Sequence, residues 1–245
     1  IWDNALRSMN MADLVKNLQL TYVLPTGAVV TEPSHQRMAL VAHLYYMDLL
    51  EKMLTYIRNM PEGCDLILTV ESEKKAEQVR KACEGLPFNV EVRLIENRGR
   101  DVSALLVGLK DVIANYDLVC FIHDKKVTQL SLYSKGDGFA IKCFENLLPT
   151  REFVSNVVAT FDREPRLGML MPTPPNHADY FPISAFGWGP NFVRTRKLLA
   201  ELGISVPMDH DKEPIAPLGT MFWFRPAALA PLFDHDWEWE DFPPE

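Results

Sequence analysis

Residues 97–126, NRGRDVSALLVGLKDVIANYDLVCFIHDKK, hold the pattern that decides the fold. The polar turn Asn97–Asp101 opens a stretch with helical apolar spacing over Val102–Asn115. An unbroken apolar run, Leu118–Ile122, follows and ends abruptly in His123-Asp124-Lys125-Lys126. Helix, buried strand and polar strand end, in that order, form one repeat of a sheet covered on both faces. In such a sheet, ligands bind in the crevice outside the carboxyl ends of the strands. The turn and the strand end thus share one sheet edge. Their cations, carboxylates and single glycine suit a ligand that carries phosphate.

Reading outward from this stretch, the same alternation continues toward the N-terminus. Met38–Ala42, Asp65–Val70 and Asn89–Ile95 have strand character, and Met47–Asn59 and Ser72–Cys83 have helical character, with Ser72 placed to cap the second helix. Strands alternating with helices in this way predict an α/β fold, Rossmann-like, with a mostly parallel central sheet and helices on both faces. Beyond Val127 the spacing predicts helices at Phe139–Leu148 and Phe153–Phe161 and a strand at Leu167–Met171. A Pro-rich loop, a mostly helical Trp188–Leu202 and a late strand at Thr220–Phe224 complete the chain. Residues 1–37 read as an irregular leader with one amphipathic stretch, Met11–Leu20, and breakers at Pro25, Gly27 and Pro33. Residues 38–245 read as a single domain, with 38–126 the ligand-binding half and 127–245 adding to the same sheet.

Composition narrows the function. The chain has 245 residues, 47% of them hydrophobic, enough for a substantial core, and a formal charge of −8. Such an acidic balance argues against nucleic acid as a partner, because phosphate-backbone binding needs a basic surface. Any anionic ligand must be held by a local basic cluster. Cys64, Cys83, Cys120 and Cys143 are widely spaced without a CxxC pair and read as reduced core thiols, which fits a cytoplasmic protein. No apolar run reaches the roughly 18 residues that a membrane-crossing helix requires. A start at Ile1 suggests a piece of a longer protein, whose attachment to the inner face of the plasma membrane stays open.

Several clusters can carry chemistry. In Asn97-Arg98-Gly99-Arg100-Asp101, two guanidinium groups can fork onto phosphate oxygens, Gly99 permits close backbone approach, and Asp101 is placed to cap the next helix. The same residues would also make an ordinary solvated turn. At the strand end, Asp124 can ligate Mg²⁺ or Mn²⁺, or Lys125 and Lys126 can neutralise phosphate without a metal, and both readings are open. His123 can serve the site or simply bond a neighbouring loop. His43 and Tyr45 follow the first strand, where many α/β folds receive a nucleotide base. The remaining histidines, among them His177, lack metal-ligand spacing, and no GxSxG turn signals a serine hydrolase. Trp237–Phe242 joins indoles to carboxylates, a mixture suited to sugars: rings stack on the apolar sugar face and a carboxylate can take a hydroxyl proton. Phe186–Asn191, with Trp188, and Leu218–Trp223, with Gly219 and Thr220, are candidate acceptor walls, although Trp223 also fits a core.

Five of these segments, in this order, carry a resemblance. They are Val41–Tyr46, Asn97–Asp101, Ile122–Lys126, Gly219–Pro226 and Trp239–Pro243. Over about residues 38–245 the chain resembles the rhamnan synthesis protein F family. The resemblance implies a GT-A type glycosyltransferase fold and a role in rhamnose-rich cell-wall polysaccharide or lipopolysaccharide O-antigen synthesis in bacteria. It implies dTDP-L-rhamnose as donor and a glycan or lipid-linked glycan as acceptor. Carried onto this chain, it makes donor-binding residues of His43, Tyr45, Asn97, Arg98, Gly99, Arg100, Asp101, His123, Asp124, Lys125 and Lys126. Glu240 and Asp241 become the catalytic carboxylates, and Trp188, Asn191, Gly219, Thr220, Trp223 and Trp239 the acceptor side. The rival is a non-catalytic nucleotide-sugar- or carbohydrate-binding scaffold. A dinucleotide-dependent oxidoreductase is disfavoured, since no GxGxxG follows the first strand.

Overall fold

The computed structural model describes residues 4, 7–18, 20–27, 34–126, 133–173 and 187–244. Pro33, His177, Phe186 and most of the Pro-rich loop, singled out above, lie outside the described residues. Two compact units form. One comprises Leu24–Thr173 with Pro217–Glu245, the other Ile1–Val23 with Pro174–Ala216.

The larger unit holds a six-stranded sheet built from β1 (Met38–His43), β2 (Asp65–Val70), β3 (Asn89–Leu94), β4 (Leu118–His123), β5 (Met169–Leu170) and β6 (Phe222–Phe224), in the order β3-β2-β1-β4-β6-β5. β1 pairs in parallel with both β2 and β4, and β2 in parallel with β3. β6 lies antiparallel to β4 and to β5. Helices α1 (Met11–Leu18) and α7 (Asn191–Glu201) belong to the smaller unit. The sheet unit carries α2 (Leu50–Ile57), α3 (Glu73–Ala82), α4 (Arg100–Leu106), α5 (Tyr133–Glu145), α6 (Arg151–Arg163) and α8 (Ala230–Phe233). The α/β class and the mostly parallel sheet follow the sequence pattern, and the second half does extend the first half's sheet through β5 and β6.

Side-chain alternation along the strands explains why both faces are covered. Leu40, Ala42, Leu66, Leu68, Cys120 and Ile122 join one core with α2, α3, α5 and α6. Ala39, Val41, Ile67, Val119 and Phe121 join a second core with Leu105 and Leu106 of α4 and Phe233 of α8. All four cysteines are buried and unpaired.

Several elements are shorter than their sequence patterns. The predicted Met47–Asn59 helix begins as a 3₁₀ turn, Met47–Leu49, before α2. The Val102–Asn115 helix stops at Leu106 and resumes only as a 3₁₀ turn, Ile113–Asn115. Gly108 marks the break: a Cβ there would lie 2.7 Å from the Ala104 carbonyl oxygen and 2.9 Å from Ile95 Cγ2. Ser72 stands at the N-cap of α3 but makes no side-chain cap bond, whereas Thr150 Oγ1 does cap α6, accepting from the Phe153 amide at 3.1 Å. At the other end of the larger unit, Thr26 and Pro25 are held by Thr150 and Asn156 of α6, at 2.8 and 3.0 Å.

Trp223 is the main departure on the acceptor side. It sits wholly buried in the centre of β6 and donates its indole N–H to the Leu147 carbonyl at 3.1 Å. It is a core residue with no face to offer an acceptor. Trp223→Ala is expected to lower the unfolding free energy by about 3–5 kcal/mol, the cost of emptying a large buried site, read from urea unfolding of the folded variant.

Candidate functional site

Strand order creates the site. β1 continues to β2 on one side and pairs with β4 on the other, so the chain reverses direction of travel across the sheet between β1 and β4. Loops leaving such a switch point diverge and open a crevice at the carboxyl edge. The register lines up Thr69, His43 and His123 across β2, β1 and β4 at that edge. By alternation these three share the face of Val41, Ile67 and Phe121, which is the face α4 covers. Asp101, in the first turn of α4, therefore meets them.

At this edge lies a buried polar cluster. His43 hydrogen-bonds through Nδ1 to Thr69 Oγ1 at 3.0 Å. Burial holds the His43 imidazole down to about 4, helped by His123 and opposed by Asp101 and Glu71. His123 sets Nδ1 2.8 Å from its neighbour Asp124's carbonyl oxygen and Nε2 2.7 Å from that of Gly219. Its Nε2 also lies 3.8 Å from Asp101 Oδ2, too far for a hydrogen bond. Gly219 reaches this place in a left-handed conformation, φ 92°, against the Phe139 ring, and Thr220 follows at φ 56°. A β-branched residue held there marks a constrained loop.

Asp124 is buried, and its carboxylate has an internal task. Oδ2 accepts from the backbone amides of Tyr45, at 2.7 Å, and Tyr46. Burial raises its carboxyl above the usual range while those two amides oppose the rise. The loop after β1 is held from the other side too. Lys75 donates to the Tyr45 carbonyl, pairs with Glu71 at 2.5 Å and lies 4.3 Å from the Tyr45 ring centroid. Among the described residues no three His, Cys, Asp or Glu side chains gather as metal ligands. With one carboxylate oxygen already bridging two amides, Asp124 does not by itself fit a resident divalent ion.

Lys125 differs from Lys126. Lys126 pairs with Asp48 and lies over the Tyr46 ring. Lys125 forms no ion pair among the described residues; its ammonium rests 4.3 Å from the Phe139 centroid. Burial lowers its pKa, with Asp101 and Arg100 close enough to act on it in opposite senses. A half-buried ammonium in that state is a ready partner for an anion.

The Asn97–Asp101 turn has a different occupation from the one its composition suggests. Arg98 donates Nε to the Trp239 carbonyl at 2.9 Å and a terminal nitrogen to the Phe242 carbonyl at 2.8 Å. Gly99, at φ 62°, donates its amide to the Pro243 carbonyl at 2.9 Å, and a Cβ on it would come within 2.5 Å of Phe242 Cβ. Arg98 thus anchors the late segment, with its fork turned to backbone carbonyls. Asp101 is not the cap; Gly99 holds that position, and the Ser103 hydroxyl returns to the carbonyls of Arg98 and Arg100. Arg100 is exposed and left-handed, φ 56°, a conformation that costs a non-glycine residue roughly 1–2 kcal/mol. Asn97 is exposed.

The predicted catalytic pair stands on the anchored segment. Glu240 and Asp241 are exposed, and Asp241 Oδ2 accepts from the Glu238 amide at 2.9 Å, closing a capping box around a 3₁₀ turn, Trp239–Asp241. Trp188 and Asn191 belong to the smaller unit, where the Trp188 indole donates to the Asp209 carbonyl at 2.9 Å and packs edge-on against Phe192. The structure therefore gathers His43, Tyr45, Asp101, His123, Asp124, Lys125 and Gly219 at the switch point and gives Arg98, Lys126, Asp241 and Trp223 other partners. Thr69, Glu71 and Lys75 were missed. Thr69 and Glu71 lie at the end of β2 and Lys75 in the first turn of α3. A separate cleft of about 340 Å³ beside Arg37, Asp65, Asn89 and Tyr116 sits at the amino edge of the sheet, where Asp65 already accepts from all three polar neighbours.

Fold and crevice together define an α/β protein with a mixed, mostly parallel sheet and a polar cluster at its topological switch point. Residues 1–245 match the family described as rhamnan synthesis protein F, and the chain belongs to that family. It is also similar to the uncharacterized protein WxcX of Xanthomonas campestris pv. campestris, strains B100 and ATCC 33913. Each is 30% identical over 207 residues, covering 84% of this chain. The chain spans 28% of the length of those relatives. Among the described residues no helix is long and apolar enough to cross a membrane.

The buried histidine makes stability depend on pH. Unfolded, His43 titrates near 6.5; folded, it resists protonation down to about 4. Its contribution is complete above pH 6.5 and is lost as pH falls through 4, on the order of 3 kcal/mol at ~1.4 kcal/mol per unit. Urea unfolding at pH 7 and pH 4 should show this drop in the parent and a smaller one in His43→Gln.

Proposed function

We propose that this chain is a GT-A type glycosyltransferase domain that takes a dTDP-sugar, L-rhamnose being the sugar transferred, and passes it to a glycan or lipid-linked glycan in polysaccharide synthesis. One observation carries the reading: in a member of the rhamnan synthesis protein F family, a half-buried lysine without a carboxylate partner stands beside the buried His43 and His123 and the partly buried Asp101 at the switch point. The diphosphate lies against Lys125, with Arg100 at the rim, and the nucleoside lies toward Tyr45. Charge neutralisation by Lys125 needs no metal.

In the transfer, the acceptor hydroxyl loses its proton to a carboxylate and its oxygen bonds to the anomeric carbon. The bond from that carbon to the diphosphate breaks, its electron pair staying on the phosphate oxygen beside Lys125. Glu240 and Asp241 are the proposed base pair, carried next to the 97–101 turn by the Arg98 anchor. The capping duty of Asp241 favours one second reading, a scaffold that binds the nucleotide sugar without turning it over.

Calorimetric titration of dTDP and dTDP-L-rhamnose into folded protein should give saturable heat, unchanged by EDTA. Lys125→Ala should weaken both ligands by about tenfold or more, the worth of a charge-assisted bond. Absence of heat from either ligand rejects the reading. Donor hydrolysis or transfer that disappears in Asp241→Asn supports the base; turnover that survives removes Asp241 from that role, and no turnover with intact binding favours the scaffold.

A further inference from the structure

Asp101 is a carboxylate that the protein itself does not satisfy. Its Oδ2 is buried and without a hydrogen-bond partner among the described residues; His123 Nε2, 3.8 Å away, faces the Gly219 carbonyl instead. Leaving a buried acceptor unmet is destabilising, and more so for a charged group. The backbone goes out of its way to keep it there. α4 is entered through two consecutive left-handed residues, Gly99 and Arg100, and pinned by the Gly99 amide and the Ser103 hydroxyl. Strain of this kind persists where surrounding contacts enforce it, and it concentrates at ligand sites.

The chemistry of the missing partner follows from the surroundings. An ionised carboxylate can only accept hydrogen bonds, so its partner must donate. Phosphate is repelled by it and belongs with Lys125, which senses both Asp101 and Arg100. A neutral group rich in hydroxyls fits, and two adjacent ring hydroxyls of a sugar can donate to the two oxygens of one carboxylate. The side chain keeps 13% of its surface exposed, so the carboxylate reaches the cluster's surface although Oδ2 itself is closed off. We infer that Asp101 recognises the ring hydroxyls of the donor sugar, with Lys125 alongside on the diphosphate. This rests on the donor site proposed above and adds to it the residue that distinguishes the sugar nucleotide from the bare nucleotide.

Affinities for dTDP and dTDP-L-rhamnose, measured on the parent, Asp101→Asn and Asp101→Ala, test the assignment. In the parent the sugar nucleotide should bind more tightly than dTDP. Both variants should keep dTDP affinity within about twofold while the sugar-dependent gain falls about tenfold or disappears. Their thermal midpoints should not drop, because no protein hydrogen bond is broken. Variants that bind both ligands as the parent does, or that lose both ligands together with thermal stability, overturn the inference. A parent that binds dTDP without preferring dTDP-L-rhamnose overturns it and leaves the nucleotide site standing; a parent that binds neither overturns both.

Discussion

Parallel pairing of β1 with β2 on one side and β4 on the other is the constraint on which the rest depends. It buries both faces of the central strands, and so requires helices above and below. It also ends three strands level at one edge, with Thr69, His43 and His123 in a row. Such a row is costly unless each polar atom finds a partner, and most do: threonine to histidine, histidine to backbone, Asp124 to the amides of the next loop. The leftover acceptors, one oxygen each on Glu71 and Asp101, border the same crevice. A polar cluster almost complete within itself is rigid and selective in what it still accepts.

Much of this was legible in the amino-acid order, for reasons that differ by element. β1, β2 and β4 are buried on both sides, and their continuous apolar runs ended by polar residues are hard to mistake. The predicted helix runs past α4 because Val102–Asn115 keeps its apolar spacing beyond Gly108, where the fold presses the Ala104 carbonyl and Ile95 against the glycine. The predicted Leu167–Met171 strand shrinks to two residues, since pairing is decided by how much of β6 lies opposite. In the site, residues that project from strand ends were found, because topology alone places them. Residues whose side chains have choices were not. Arg98 can reach a phosphate or a carbonyl, Asp241 a proton or an amide, Trp223 a sugar or a core, and composition cannot rank the options. Lys75 escaped notice because its partners, Glu71 and the Tyr45 carbonyl, are brought to it by the sheet.

The cluster also separates two kinds of charge. Lys75 and Lys126 are paired with carboxylates and Arg98 is hydrogen-bonded to backbone carbonyls, and all three serve as struts for the loops around the site. Lys125 has an aromatic face and a dehydrated setting, which leaves its charge available. In a chain whose net charge is −8, attraction for an anion is then local, confined to the place where the ligand should stop.

The Arg98 anchor has a bearing on how the molecule comes into being. Its donors meet carbonyls 141 and 144 residues later in the chain. During synthesis, the turn at 97–101 is made long before its counterpart at 239–243 exists, so until that segment emerges the strained conformation of Gly99 and Arg100 has only the nearby Ser103 hydroxyl to hold it. Contacts of such high sequence separation close late, after the sheet that brings them together. The crevice can therefore take its working shape only as one of the last events of folding.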